Sequence, residues 1–502
     1  FGCNTTYKFY EKIPFTGTLN GKGHKIKNLV IGKYEYVDGW PKCRTLNPSG
    51  LFGYIKNAEI KNLILESPTF NNEISYNSRY EFPVNGLLAG YSENSFIKNC
   101  NIKNPIINNS QAIISGMIGN LQKSVIENAS VKNITLIRKT QIAGLVGCLN
   151  DSLINNSRVE SDINNSNTNV AGLVSFALNG TIMNSHYKGS LTGGVPGGII
   201  AEISRISWFK LRKVRIEKCY TEGQIIFKQG LTAGGLVGYY EENWGETNLI
   251  INNSYSKMNI TIIPHYMWDD YYTAGLVGSD LFDAPRIQNS YHTGTITGYV
   301  NESYPDYPSD FSVAGLTQSH LCLNSFYDTR FNGDLYIRYT CGLSIPTSDM
   351  KKKSTYINQG WDFVNTWSID ETGVINKGYP YLRTGPDINP PKVEINNPTN
   401  TIYPPDLQIK VYAYENRKDD TSVNNCEYKL NSDPYAELEQ SSGDPNYYLK
   451  NLLGLNEGEN SIKIKCSDLA GNINESEQVI FTIDSTAPTI TITYPENNKN
   501  YK

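Results

Sequence analysis

No run of apolar residues is long enough to cross a bilayer, which excludes a spanning helix in this segment. Charge of one sign is missing too. The 45 Lys and Arg face 49 Asp and Glu, for a formal net charge of −4. That balance leaves no electrostatic footprint for nucleic acid or an anionic membrane, so neither is expected as a partner. Charged residues make up only 19%, below the usual globular share. No amphipathic helical pattern of useful length precedes residue 345. The nine cysteines show neither CxxC nor Cys/His zinc spacing, and no histidine stands ready to activate one as a nucleophile. Phe1 is not an initiator methionine, no signal peptide is visible, and residues 485–502 read as the start of a further domain. The chain is therefore expected to be trimmed at both ends.

What is abundant is tyrosine (35 against 16 phenylalanines), glycine (42) and asparagine. Such a surface is neutral and hydrogen-bonding, suited to water, glycans or copies of itself. A repeat dominates the first three-quarters of the chain. One anchor reads GLFG at Gly50, GLLAG at Gly86, GMIG at Gly116, GLVG at Gly144 and GLVS at Gly172. It returns as GIIA at Gly198, GLVG at Gly235 and Gly275, and GLTQ at Gly315. The intervals are 36, 30, 28, 28, 26, 37, 40 and 40 residues.

A second anchor, aliphatic-x-Asn followed by a small residue, is found at Ile26-Lys-Asn28, Ile60-Lys-Asn62, Ile97-Lys-Asn99, Ile126-Glu-Asn128 and Ile154-Asn-Asn156. It recurs at Ile182-Met-Asn184, Ile251-Asn-Asn253 and Ile287-Gln-Asn289. Lys218 replaces the Asn once, and the pattern is worn around Asn324. From Gly50, Gly86, Gly116, Gly144 and Gly172 to the next Asn the distance is 12, 13, 12, 12 and 12, while the return varies from 14 to 26. One face of the repeat is thus nearly constant, and insertions collect on the other.

Short Ile/Leu/Val segments punctuated by Gly and Asn read as strands and tight corners. The expected fold is all-β: a right-handed parallel β-helix of roughly ten turns, about 50 Å long at the ~4.8 Å strand spacing. In this reading Gly takes the corner angles, and equivalent Asn side chains stack as a buried ladder. A β-sandwich array would need seven strands per ~100 residues rather than this period.

These motifs resemble the GLUG-motif surface proteins over roughly residues 8 to 384. The likeness includes the opening Phe15-Thr-Gly-Thr-Leu-Asn-Gly-Lys-Gly-His24-Lys-Ile and the closing Gly342-Leu343-Ser, Met350-Lys, Gly360-Trp361-Asp362-Phe363, Trp367 and Gly378-Tyr379-Pro380-Tyr381-Leu382. The resemblance implies a bacterial or archaeal β-helix on secreted, adhesin-like or surface-layer proteins. The worn repeats at Gly198 and Gly315 put local regularity in question. His24 reads as structural, and the Trp361/Trp367/Tyr381 cluster with Met350 as a cap over the last turn.

After the linker at Asp387-Ile-Asn-Pro390-Pro391 the pattern changes to alternating strands with a Ser467-Asp-Leu-Ala-Gly-Asn472 turn, similar to immunoglobulin-like surface domains. Ala487-Pro-Thr-Ile-Thr echoes the residues after Pro391 some 97 residues on. The expected organisation is a β-helix over 1–344, its cap over 345–386, an immunoglobulin-like sandwich over 387–485, and over 486–502 the first strand of a second sandwich.

Candidate site residues follow. Disulfides are expected at Cys3–Cys43, Cys322–Cys341 and Cys426–Cys466, leaving Cys100, Cys148 and Cys219 as buried fillers. Twelve Asn-x-Ser/Thr sequons occur. The glycosylation candidates are Asn108, Asn150, Asn155, Asn164, Asn179, Asn252, Asn259, Asn301 and Asn474, with Asn155 and Asn252 pointing outward and Asn128 buried in the ladder. Possible ligand loops carry Tyr266, Trp268 and Tyr271, and Tyr304 and Tyr307 with Phe311, as stacking platforms for sugar. Asp269 and Asp270 are the best carboxylate pair for polysaccharide chemistry, but neighbours on a strand point to opposite faces. Asp468 could bind Ca2+, though capping its own turn is the simpler role. No other cofactor or metal is expected.

The resulting expectation is an extracellular, cell-surface structural protein and not an enzyme: a subunit of a surface layer or filament whose partners are copies of itself. The alternatives are an adhesin binding glycans or other cell-surface proteins, and a polysaccharide-degrading β-helix.

Overall fold

The protein is described by a computed structural model. It describes residues 13–32, 36–37, 40–41, 49–72, 84–109, 113–137, 141–165, 168–203, 213–228, 232–240, 249–263, 271–279, 285–298, 311–318, 321–331, 340–383, 390–415, 423–468, 472–491, 493–494 and 499. The chain divides into two units, Phe1–Met350 and Lys351–Lys502.

The first unit is a right-handed parallel β-helix built on four long parallel sheets. Sheet 1 follows the glycine anchor, with eight strands from Phe52–Lys56 to Val277–Ser279. Sheet 2 carries the Ile-x-Asn anchor, with ten strands from Thr18–Asn20 to Cys322–Leu323. Sheet 3 has thirteen strands, from Lys25–Lys27 to Leu343–Ile345, and sheet 4, which leads into the next glycine, has eight, from Val84–Gly86 to Phe311–Ala314. Ten rungs at ~4.8 Å make this coil about 45 Å long.

Register within sheet 2 is unbroken. Leu19, Ile60, Ile97, Ile126, Ile154, Ile182, Ile216, Ile251, Ile287 and Cys322 lie directly over one another. The eight isoleucines are fully buried. Each removes roughly 2 kcal/mol worth of apolar surface from water, and the column forms one continuous core.

The anchor glycines do not take the corner angles expected of them, and the ladder asparagines do. The corners are made by asparagine. Asn62, Asn99, Asn128, Asn156, Asn184, Asn253, Asn289 and Asn324 all have φ between 47° and 54°, and Lys218 keeps the same conformation at 51°. A single residue in the left-handed region turns the chain from sheet 2 into sheet 3, and Asn tolerates that region best after Gly. The corner from sheet 1 to sheet 2 uses Asn57, Asn94, Lys123 and Asp151 in the same way, and Asn28, Ser67, Asn104 and Asn133 turn the chain after sheet 3.

The anchor glycines have ordinary φ and serve close packing instead. A Cβ on Gly116, Gly144, Gly172, Gly198, Gly235 or Gly275 would stand 2.0–2.2 Å from the carbonyl oxygen of the next anchor glycine up the coil. It would also strike the inward side chain of sheet 3 in its own turn: Val131, Val159, Tyr187, Thr221, Ser256 and His292 in that order.

Two further readings change. Ile26-Lys-Asn28 does not belong to the sheet 2 file: Ile26 pairs with Leu65 in sheet 3, and Leu19 takes the place opposite Ile60. The worn repeat at Gly198 stays in register, Ile200 lying between Val174 and Val237. At Gly315 the aliphatic Leu316 is still buried, but Val277–Ser279 is the last strand of sheet 1 among the described residues.

The second unit begins with a small body. Its helix Lys353–Ile357 packs Tyr356 against Trp361 at 4.7 Å between ring centroids, and Trp361 against Trp367 at 4.5 Å. An immunoglobulin-like pair of mainly antiparallel sheets follows, the exception being the parallel pairing of Ile402–Tyr403 with Val479–Ile483. Lys392–Asn397, Leu407–Tyr414, Tyr447–Leu452 and Glu439–Gln440 form one sheet; Ile402–Tyr403, Val479–Ile483, Gly458–Asp468, Val423–Leu430 and Ala436–Glu437 form the other, with Ile473–Glu475 beside Gly458–Asp468. Alternation along Leu407–Tyr414 turns Leu407, Ile409, Val411 and Ala413 inward, where they meet Tyr448, Ile464 and Phe481. Residues 487–491 are exposed and carry no strand pairing among the described residues. A lone strand has no neighbour to satisfy its backbone.

Candidate functional site

Because each turn repeats the last, outward side chains also fall into files. Asn62 Nδ2 donates to Asn20 Oδ1 at 3.0 Å, Asn99 Nδ2 to Asn62 Oδ1 at 2.9 Å and Asn128 Nδ2 to Asn99 Oδ1 at 2.8 Å. This amide ladder lies on the outside. Asn62 and Asn99 are half-buried and Asn128, expected to be buried, is exposed. The left-handed corner swings its side chain away from the core and turns the next residue inward.

That next residue forms a ladder the sequence did not announce. Ser157 Oγ accepts the Ala129 N–H, and Ser185 Oγ accepts the Ser157 N–H at 3.0 Å. Further along, Cys219, Ser254 and Ser290 N–H donate to Ser254, Ser290 and Ser325 Oγ at 3.1, 3.1 and 3.2 Å. Each hydroxyl then donates to the carbonyl two residues back in its own chain, as Ser254 does to Asn252 at 2.8 Å. The corner N–H groups, which would otherwise be buried without acceptors, are satisfied in this way. Ser95, Ser124 and Ser152 do the same at the preceding corner.

Cys100 and Cys219 occupy the serine position, their thiols donating to Lys98 and Glu217 carbonyls. Both are free, and burial pushes their thiols up to about 11 and about 12. They are held as thiols and are poor nucleophiles.

Sheet 3 carries two files on the face away from the coil core, a charged one and an aromatic one whose last two rings, Tyr255 and Tyr291, are buried. Lys132 pairs with Glu160 at 2.7 Å, and Glu222 with both Lys188 and Lys257 at 3.4 and 3.1 Å. Next to this charge file, His186, Tyr220, Tyr255 and Tyr291 stack with centroids 4.6, 5.1 and 4.8 Å apart and ring planes within 9°. Burial pushes the His186 imidazole down to about 4.

The Cys322–Cys341 and Cys426–Cys466 bridges are formed. Cys148, read as a filler, is disulfide-bonded. It lies on the face of Val146–Asn150 opposite the core residue Leu149, in register with Asn120 and Phe176. Cys3, Cys43, Tyr266, Trp268, Asp269, Asp270, Asn301, Tyr304 and Tyr307 lie outside the described residues, as do the side chains of Tyr271 and Phe311.

Of the sequons, Asn164 and Asn259 are exposed. Asn155 and Asn252 are half-buried, and Asn155 Oδ1 accepts from Asn184. Asn150 is buried and its Nδ2 donates to Gln122. The Nδ2 atoms of Asn108, Asn179 and Asn474 donate to Asn71, Asp151 and the Pro391 carbonyl. Asp468 holds its own turn, accepting Asn472 N–H and Nδ2–H at 2.9 Å each. Among the described residues no group of three His, Cys, Asp or Glu is placed to hold a metal.

One open groove of about 460 Å³ indents the coil at its first corner, lined by Asn20, Lys22, Asn62, Ile64, Asn99 and Asn101. The opening motif makes one wall. Residues 21–24 join Asn20 to Lys25, where the equivalent corner a turn later needs only Asn62 and Leu63. Lys22 and Gly23 take φ of 48° and 79°. The loop is pinned by Gly23 N–H to the Asn62 carbonyl at 2.8 Å and by His24 N–H to the Gly21 carbonyl at 2.7 Å. The His24 side chain is exposed.

No protein-family description matches this chain, and no curated protein matches it. Solved structures similar in part include an endo-β-1,4-mannanase from Thermotoga petrophila (13% identical, TM-score 0.17, covering 20% of this chain and 22% of that one). Another is the fibronectin(III)-like modules of Clostridium thermocellum CbhA (14% identical, TM-score 0.17, 23% of this chain and 57% of that one). The chain spans less than two thirds of either, and likeness at this level carries no functional argument.

Proposed function

We propose that this chain is a structural protein of the cell exterior, of the GLUG-motif kind, forming part of a surface layer or filament by association of copies of itself. The observation that carries the reading is the ordering of the coil's outside as well as its inside. Amide pairs join four successive rungs from Asn20 to Asn128, and ion pairs join Lys132 to Glu160 and Glu222 to both Lys188 and Lys257, so stretches of the surface offer like chemistry at regular steps along a stiff core. Periodic, neutral surfaces of this kind are what lateral association between identical subunits uses. The disulfides Cys322–Cys341 and Cys426–Cys466 support an oxidising compartment, and the exposed sequons Asn164 and Asn259 agree with it.

Electron microscopy and sedimentation of the purified chain test the proposal. Ordered sheets or filaments, with contacts burying more than ~1,000 Å², are the expected result. A chain that stays monomeric at high concentration, and is absent from the surface of the native cell, would overturn it.

A further inference from the structure

We infer that the groove at the first corner is a binding site for an extended β-linked glycan, lying along the coil axis over Asn20, Asn62 and Asn99. The inference goes beyond the structural role and does not depend on copies assembling.

The chemistry of the lining points to this ligand. A carboxamide has two N–H donors and two acceptor lone pairs. In the ladder, Asn62 spends one N–H on Asn20 and one lone pair on Asn99. Asn99 likewise spends one of each, on Asn62 and on Asn128. Asn62 and Asn99 therefore each keep one donor and one acceptor side by side, held in place by their neighbours, whereas Asn20 Oδ1 accepts from both Lys22 N–H and Asn62 and that side chain offers only its N–H groups. A vicinal diol is complementary to that pair, since each hydroxyl both donates and accepts.

The spacing agrees. Rungs repeat at ~4.8 Å, close to the advance per residue of an extended β-1,4-linked pyranose chain, so one sugar faces one amide. The half-buried Ile64 supplies apolar surface for a sugar's C–H face. Lys22 is exposed and makes no ion pair among the described residues, leaving its ammonium available to ring or glycosidic oxygens. Among the described residues no carboxylate lines the groove. A helical α-linked glycan would meet only one rung.

The test is titration calorimetry of the full chain with cellohexaose, mannohexaose and chitohexaose, and with maltohexaose as the α-linked comparison. At least one β-1,4-linked hexamer should bind saturably, and maltohexaose at least tenfold more weakly. The double variant N62G/N99G removes both amides and keeps the left-handed corners, which Gly adopts freely. It should melt within a few degrees of the parent and bind about tenfold or more weakly, as the loss of two net hydrogen bonds requires. Absence of saturable binding by all three β-linked hexamers, or unchanged affinity in a folded N62G/N99G, would overturn the inference. Either result leaves the assembly measurement unaffected.

Discussion

Gly172 and Tyr187 share one volume: a Cβ on Gly172 would stand 2.4 Å from Tyr187 Cγ and 2.0 Å from the Gly198 carbonyl oxygen. Neither neighbour can give way, because the carbonyl belongs to the coil backbone and Tyr187 is fully buried with its hydroxyl donating to the Ser161 carbonyl at 2.8 Å. Gly172→Ala should therefore destabilise the coil by about 3 kcal/mol or more. Gly443→Ala, whose new Cβ would meet only Ser441 Oγ at 3.9 Å, should stay within about 0.5 kcal/mol. Thermal melts of the two variants check this.

Lys218 stands where the other turns place Asn, at φ 51°. Lys218→Asn should stabilise the coil by roughly 0.5 kcal/mol, and Asn156→Ala should destabilise it by about 1 kcal/mol, because a Cβ-bearing residue without a local polar side chain is strained there. Denaturant midpoints read both signs.

Ser254→Ala removes the acceptor of the Cys219 N–H and leaves a buried donor unsatisfied. The expected loss is about 1–3 kcal/mol. Ser254→Cys should recover much of it, since cysteine already fills this position at Cys100 and Cys219. Hydrogen exchange at the Cys219 amide should rise in the alanine variant and not in the cysteine variant.

His292 is fully buried against Gly275, and burial pushes its imidazole from 6.5 down to about 4. Above pH 6.5 the histidine is neutral in both states and the coil keeps its full stability. As pH falls below 6.5 the unfolded chain takes up the proton and the folded one does not, so stability is lost progressively until about pH 4. The loss is roughly 3 kcal/mol for this group. Melting temperature between pH 7.5 and 4.5 should fall less steeply in His292→Tyr, which copies Tyr187 and Tyr327 in the same inward file. An unchanged slope would contradict the assignment.

Much of the coil was legible in the sequence because a solenoid repeats one local problem. The near-constant spacing from glycine to asparagine reflects the short path through sheet 1, one corner and sheet 2, whose strands pair residue for residue with the next turn. The extra residue after Gly86 is absorbed at Leu87 and Leu88, both buried, before Ala89 returns to register with Phe52. The groove was not legible. Its motif was plain, but nothing in residues 15–26 alone says that Lys22 and Gly23 project beside Asn62.

The sequence by itself determined the period, the aliphatic file and the change of style after residue 387, because hydrophobic spacing is a property of the chain alone. Only the tertiary structure decided which residue serves which purpose at a turn. Glycine is demanded by the backbone of the next turn, asparagine by a left-handed angle, and serine by a neighbour's N–H. Two of these three needs arise between turns some thirty residues apart, where linear spacing carries no record of direction.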